Sequence, residues 1–296
     1  MTYLIVTILL NTLLFALFKL FAKFNIDGLQ AVVVNYFTCV VTGCIFLHEI
    51  PIKAGSISQP WFPWALLMGA MFISLFRLIA WRTKEDGMTI TTIANKLSLV
   101  IPVLFATLLY SEKLGALKLA GILIAFPAIY FTTRKNSDDQ KSINILFPAI
   151  LFIGSGLLDT LVKYVEATHL ESTRTQTEFT IHVFAVASLL GAMIIGLQAA
   201  RRKLQLQLKN IIAGIILGVP NYFSIYYLIK LLHSGFLHSS AAIPVNNIGI
   251  VLCSAIVAIF FFKERASWKK ILGLVLSIIA ILMIALSDIN GTTASI

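Results

Sequence analysis

Uninterrupted apolar runs, most of them long enough to cross a bilayer, alternate with short polar breaks along the whole chain. A membrane-spanning helix needs about 20 such residues. The runs predict ten helices, at roughly 2–22, 29–48, 61–81, 88–110, 115–132, 144–165, 179–199, 210–232, 236–262 and 268–287. Five precede the most polar stretch of the chain and five follow it. The expected fold class is an all-α membrane protein of about ten transmembrane helices. The first run begins close to Met1 without a basic lead-in or a small-residue cleavage site, so it reads as a retained first span.

The polar breaks carry a repeat. Ser111-Glu112-Lys113-Leu114 followed by Gly121 returns as Lys263-Glu264-Arg265-Ala266 followed by Gly273, and Asn95 lies over Asn247 at that same separation. At a slightly shorter offset, the segment from Asn11 to Lys19 lies over the segment from Ser155 to Lys163. The expected organisation is a first five-helix repeat at 1–132, a polar linker at 133–143 and a second five-helix repeat at 144–296. Because five is odd, the second repeat enters the bilayer upside down. Inverted repeats of this kind build transporters whose sites lie near the midplane, where the halves meet.

Composition agrees with a membrane protein: 58% of residues are hydrophobic and 12% charged, against about 25% charged in an ordinary soluble domain. The net charge of +10 would suggest nucleic acid in a soluble protein. Here it sits in loops beside spans, so it reads as topology and membrane-surface contact, with no nucleic-acid partner expected. Lys and Arg favour the odd-numbered loops (Lys23, Arg82, Lys84, Arg134, Arg201, Lys263) over the even ones (Lys53, Lys113, Arg174). By the positive-inside rule that places both termini outside the cytoplasm. The expected location is the cell (inner or plasma) membrane, as a multi-pass protein.

Ionisable groups inside spans are costly, so they face a cavity or a partner and are functional candidates. Lys96 lies well inside the fourth span and Asp159 well inside the sixth. Ser155, Asp159 and Lys163 follow each other at helical spacing, as do Asn11, Phe15 and Lys19, which marks Lys19 and Lys163 as corresponding cations. Snorkelling to the headgroups is the competing reading for both. Asn95 on the fourth span and Asn246 and Asn247 on the ninth offer donors and acceptors to a polar solute, as does Asn221 on the eighth; interhelical bonding is their structural alternative. Pro244 removes a backbone donor and is a candidate hinge. Arg77, on the third span, has a planar fork suited to a carboxylate or phosphate, with an interfacial anchor as the alternative. With Lys19, Arg77, Lys96 and Lys163 set against Asp159, the expected chamber is cationic. Asp159 is the candidate for an internal ion pair or a coupling proton.

The fourth span of each half ends in an apolar run, a glutamate and a basic residue (Tyr110-Ser-Glu-Lys-Leu114; Phe262-Lys-Glu-Arg-Ala266), then leads into a glycine-bearing span. In this the chain resembles the drug/metabolite transporter superfamily, in its EamA-type branch. The resemblance implies a helical basket whose first, third and fourth spans of each repeat line a cavity. It also implies alternating access without nucleotide hydrolysis, and cytoplasmic termini, opposite to the charge count. The chain departs in carrying several cations within spans, and in having Thr92 where Pro244 has its counterpart.

The expected function is a secondary transporter, an exporter or exchanger, of a small organic anion or zwitterionic metabolite. Its partners are that solute, the bilayer and a coupling proton or counter-substrate. A passive channel, or a non-transporting partner or sensor subunit, is the alternative. The chain has no phosphate-binding loop of the Gly-x-x-x-x-Gly-Lys-Ser/Thr type, and no two of its five histidines are spaced on one helix to hold a metal. Neither an enzyme nor a resident metal or cofactor is expected.

Overall fold

The computed structural model describes residues 1–110, 115–133, 146–170, 172–201, 206–233, 239–264 and 267–293. Among these there are eleven α-helices, one short 3-10 turn and no strand. The helices are α1 (Thr2–Lys23), α2 (Gly28–Leu47), α3 (Phe62–Glu85), α4 (Met88–Leu97), α5 (Val100–Tyr110) and α6 (Ala116–Thr133), then α7 (Leu146–His169), α8 (Thr173–Ala200), α9 (Leu208–His233), α10 (Ser239–Phe260) and α11 (Trp268–Thr293). Nine apolar spans among the described residues are long enough to cross a membrane, counting α4 and α5 together, and the apolar helix 116–131 is shorter. This is an all-α membrane protein. The linker expected at 133–143 lies, from residue 134 on, outside the described residues, as does the turn holding Glu112.

Local chemistry sets the helix ends. Asp27 caps α2, its Oδ1 accepting the N–H groups of Leu29 at 2.9 Å and Gln30 at 3.1 Å, which satisfies donors that the first turn leaves unpaired. Gly87, at φ +98°, turns the chain from α3 into α4. The fourth span, expected as one helix over 88–110, is broken between Leu97 and Val100. Pro102 accounts for the break: it has no N–H to give the Ser98 carbonyl, and in a continuous helix its ring would press on that same carbonyl. The Ser98 carbonyl accepts instead from Ile101 N–H at 2.9 Å, and the Ser98 hydroxyl folds back onto the carbonyl of Asn95.

Packing runs mainly between the two halves of the chain. α6 packs on α11, α2 on α8 and α9, and α3 on α8. The first span, α1, packs on the third and fourth spans of the second half, α9 and α10; the sixth, α7, packs on the third and fourth of the first half, α3 and the pair α4–α5. Close approach between α2 and α9 needs glycine. A Cβ on Gly218 would meet Thr38 Cβ at 2.5 Å and the Asn35 carbonyl at 2.7 Å. Beside it Asn221 donates to Asn35 Oδ1 at 3.1 Å, both side chains being buried. Leucine, isoleucine and phenylalanine side chains stand out on the periphery, among them Phe37, Ile45, Leu189 and Leu197, as a surface solvated by lipid tails allows.

Candidate functional site

α1, α3, α4, α7, α8 and α9 surround a chamber of about 230 Å³. Much of its wall is aromatic: Phe15 and Phe18 from α1, Phe72 and Phe76 from α3, and Phe179 and Phe184 from α8. Tyr36 backs this wall, fully buried, stacked on Phe184 at 5.7 Å and donating its hydroxyl to the Phe72 carbonyl at 2.9 Å. Rigid rings held by such contacts keep the chamber from collapsing.

The polar lining comes chiefly from the end of α4 and one face of α7. Asn95 donates to the Ser155 hydroxyl at 2.8 Å, tying the two helices together beside Lys96 and Asp159. Those last two side chains interact electrostatically; Lys96 is half-buried, and Asp159, exposed, lines the chamber with it. Glu166, one helix face further along α7, also lines the chamber. Lys96 is thus the one cation, against two carboxylates, among the described lining residues. The cationic lining expected from the sequence is corrected: the chamber balances one positive charge against a negative majority.

Three of the four expected cations stand elsewhere, for reasons of helix geometry. A residue eight positions along a helix lies about 80° round from the first, whereas positions seven and eleven along lie within about 20°. The face that begins at Ser155 therefore continues through Val162 and Glu166, while Lys163 is exposed outside the chamber. From Asn11 it continues through Phe18, and Lys19 swings away to pair with Glu264 at 3.1 Å. Arg77 lines a separate groove on α3.

On α10, Asn246, Asn247 and Pro244 are buried but are not among the chamber's lining residues. Asn247 has a different task. Its Nδ2 donates at 3.4 Å to the carbonyl of Lys96, which at the break also receives Leu99 N–H at a long 3.5 Å. Asn247 thereby holds the broken end of α4 against α10. Asn221 does reach the chamber, together with Ser224. The seventh span, α8, is not among the lining spans that the family resemblance implies, yet its Phe179 and Phe184 form part of the wall. His182 on α8 packs its ring on Trp61 at 4.9 Å, with Nδ1 2.7 Å from the Glu178 carbonyl.

The chamber reaches from Asn95 and Lys96 to Glu166, Leu170 and Gln176, where α7 ends and α8 begins. At the other end, where α1 finishes and α4 starts, Glu264 gathers three elements. Its Oε1 accepts Met88 N–H at 2.7 Å and meets Lys19, and its Oε2 accepts the Thr89 hydroxyl at 3.2 Å. The carboxylate stands where the N-terminus of α4 favours negative charge. Burial acts to raise the Glu264 carboxyl, but the Met88 N–H and the Lys19 ammonium outweigh it and hold the group below the usual range. A Cβ at Gly87 would lie 2.7 Å from Glu264 Oε1, so this contact requires the glycine. In the sequence Glu264 stood out only as part of the repeated glutamate-basic motif.

No family model matches the chain. A protein of Haemophilus influenzae, described as uncharacterized, is 29% identical over 292 residues, which covers 94% of this chain and 95% of that one. The similarity therefore runs through both halves of the chain. It carries no statement of substrate.

Proposed function

We propose that the protein is a secondary transporter of a small zwitterionic metabolite bearing an apolar group, working by alternating access as two inverted five-helix repeats. The observation that carries this reading is the meeting of Lys96 and Asp159, one from each half of the chain, in a chamber beside a helix break. Broken helices at the junction of repeats are a recurring way to build a solute site in a membrane, because the freed backbone groups and nearby side chains can exchange partners. The reciprocal packing of α1 and α7, each on the third and fourth spans of the other half, supports the duplication. On these grounds we place the chain with the EamA-type transporters that its repeated glutamate turns resemble.

Charge selects the solute class. A simple anion at Lys96 would set a second negative charge beside the Asp159 carboxylate in the same chamber wall. A zwitterion can offer its negative group to Lys96 and its positive group to Asp159, and the phenylalanine wall accepts its apolar part. A solute without the positive group therefore gains less. The ties among Glu264, Lys19 and α4 lie outside the chamber lining, which reaches Leu170 and Gln176; a carrier that opens to one side at a time accommodates this better than an open pore.

A thermal-shift series on the purified protein tests the solute class. Zwitterions with an apolar side group are expected to raise the unfolding temperature, adding about 2.7 kcal/mol at a hundredfold excess over Kd. Shape-matched monoanions are expected to do so much less. Stabilisation by monoanions alone, undiminished in Lys96→Gln, would contradict the reading.

A further inference from the structure

Arg77 has no ion pair or hydrogen bond among the described residues, yet it stands about 12 Å inside the end of α3, two turns before Glu85. It opens into a groove of about 710 Å³ formed by α3, the turn from α1 to α2, and α8 near Gln198. Lys84, two turns further along the same face of α3, lines the same groove and is likewise unpaired; Trp81 lies between them. The one carboxylate in the lining, Asp27, has its Oδ1 engaged by the first turn of α2. Phe21, Leu29 and Leu78 supply apolar walls.

A guanidinium one helical turn, about 6 Å, inside the level of Trp81 is stabilised where an anion meets it. Its planar fork fits two oxygens of a phosphate. Trp81 marks the level at which headgroups begin, since indole rings settle at the membrane interface. We propose that this groove binds the phosphodiester of an anionic membrane lipid, with Arg77 on the phosphate oxygens, Lys84 nearer the aqueous side, and an acyl chain along Phe21 and Leu78. The apolar walls favour a lipid over a free phosphate compound, which would leave them against water. This site is separate from the chamber and does not rest on the transport reading.

The test is native mass spectrometry of the full-length protein in detergent, titrated with phosphatidylglycerol and with phosphatidylcholine of the same acyl chains. Wild type is expected to retain phosphatidylglycerol about tenfold more tightly or better, as two surface cations allow. Arg77→Gln should lose most of that preference, Arg77→Lys should keep part of it, and Lys53→Ala, in the loop after α2, should keep all of it. Equal retention of the two lipids by wild type would overturn the proposal, and this arm does not depend on any variant folding. Preference surviving in both Arg77 variants would also overturn it. So would displacement of phosphatidylglycerol by glycerol phosphate at equal concentration, which would mark the groove as a site for a soluble phosphate compound.

Discussion

Lys19 and Glu264 meet at 3.1 Å although nearly the whole chain separates them, and through the Met88 N–H the same carboxylate caps α4. The folded-state pKa of Glu264 lies below its ordinary value of 4.5. The stabilisation it brings is therefore complete above the unfolded-state value and is lost as pH falls through the folded one. Thermal unfolding of wild type and Glu264→Gln, followed from neutral pH into the acid range, should give curves several degrees apart at neutrality that converge in acid. Parallel curves would remove the ion pair from the account.

Removing Lys96 alone takes away the positive charge that acts on Asp159 in the chamber wall. An uncompensated carboxylate in the wall of a membrane-embedded chamber is unfavourable, so Lys96→Ala should lower the unfolding temperature. The double variant Lys96→Ala/Asp159→Ala should recover much of the stability while binding no zwitterion. A double-mutant cycle in unfolding temperature and ligand binding checks both outcomes.

Pro102→Ala restores an N–H at the one position where α4 and α5 fail to join. Straightening the span removes the site's exchangeable backbone groups, so solute exchange should fall by about tenfold or more while the unfolding temperature holds or rises. Unchanged exchange would show that the break is incidental.

Gly218→Val places side-chain atoms where α2 and α9 come within backbone contact. Overpacking of this kind costs about 1–3 kcal/mol, and it separates Asn221 from Asn35. A marked drop in unfolding temperature is expected, against little change in Gly196→Val, where a Cβ meets nothing within 4 Å.

The apolar spans were legible because apolar length alone reports them; nine of them, among the described residues, are long enough to cross a membrane. The break in the fourth span was not, since Leu97, Leu99 and Val100 keep the pattern apolar through it; Pro102 was the available signal. Asn95, Lys96, Asp159 and Asn221 were legible as polar groups with no place in lipid. Lys19 and Lys163 were misplaced by one physical detail, the rotation of the eighth residue off a helix face, and the same detail hid Glu166. The aromatic wall left no trace among 21 phenylalanines, because a ring facing a chamber and a ring facing lipid read alike in a sequence.

Counterflow in proteoliposomes tests the central claim most directly: radiolabelled zwitterion outside, unlabelled zwitterion inside. The account predicts saturable uptake that is stimulated by internal solute and abolished in both Lys96→Gln and Asp159→Asn. Uptake that neither saturates nor responds to internal solute, or that persists in both variants, would contradict a carrier built on Lys96 and Asp159.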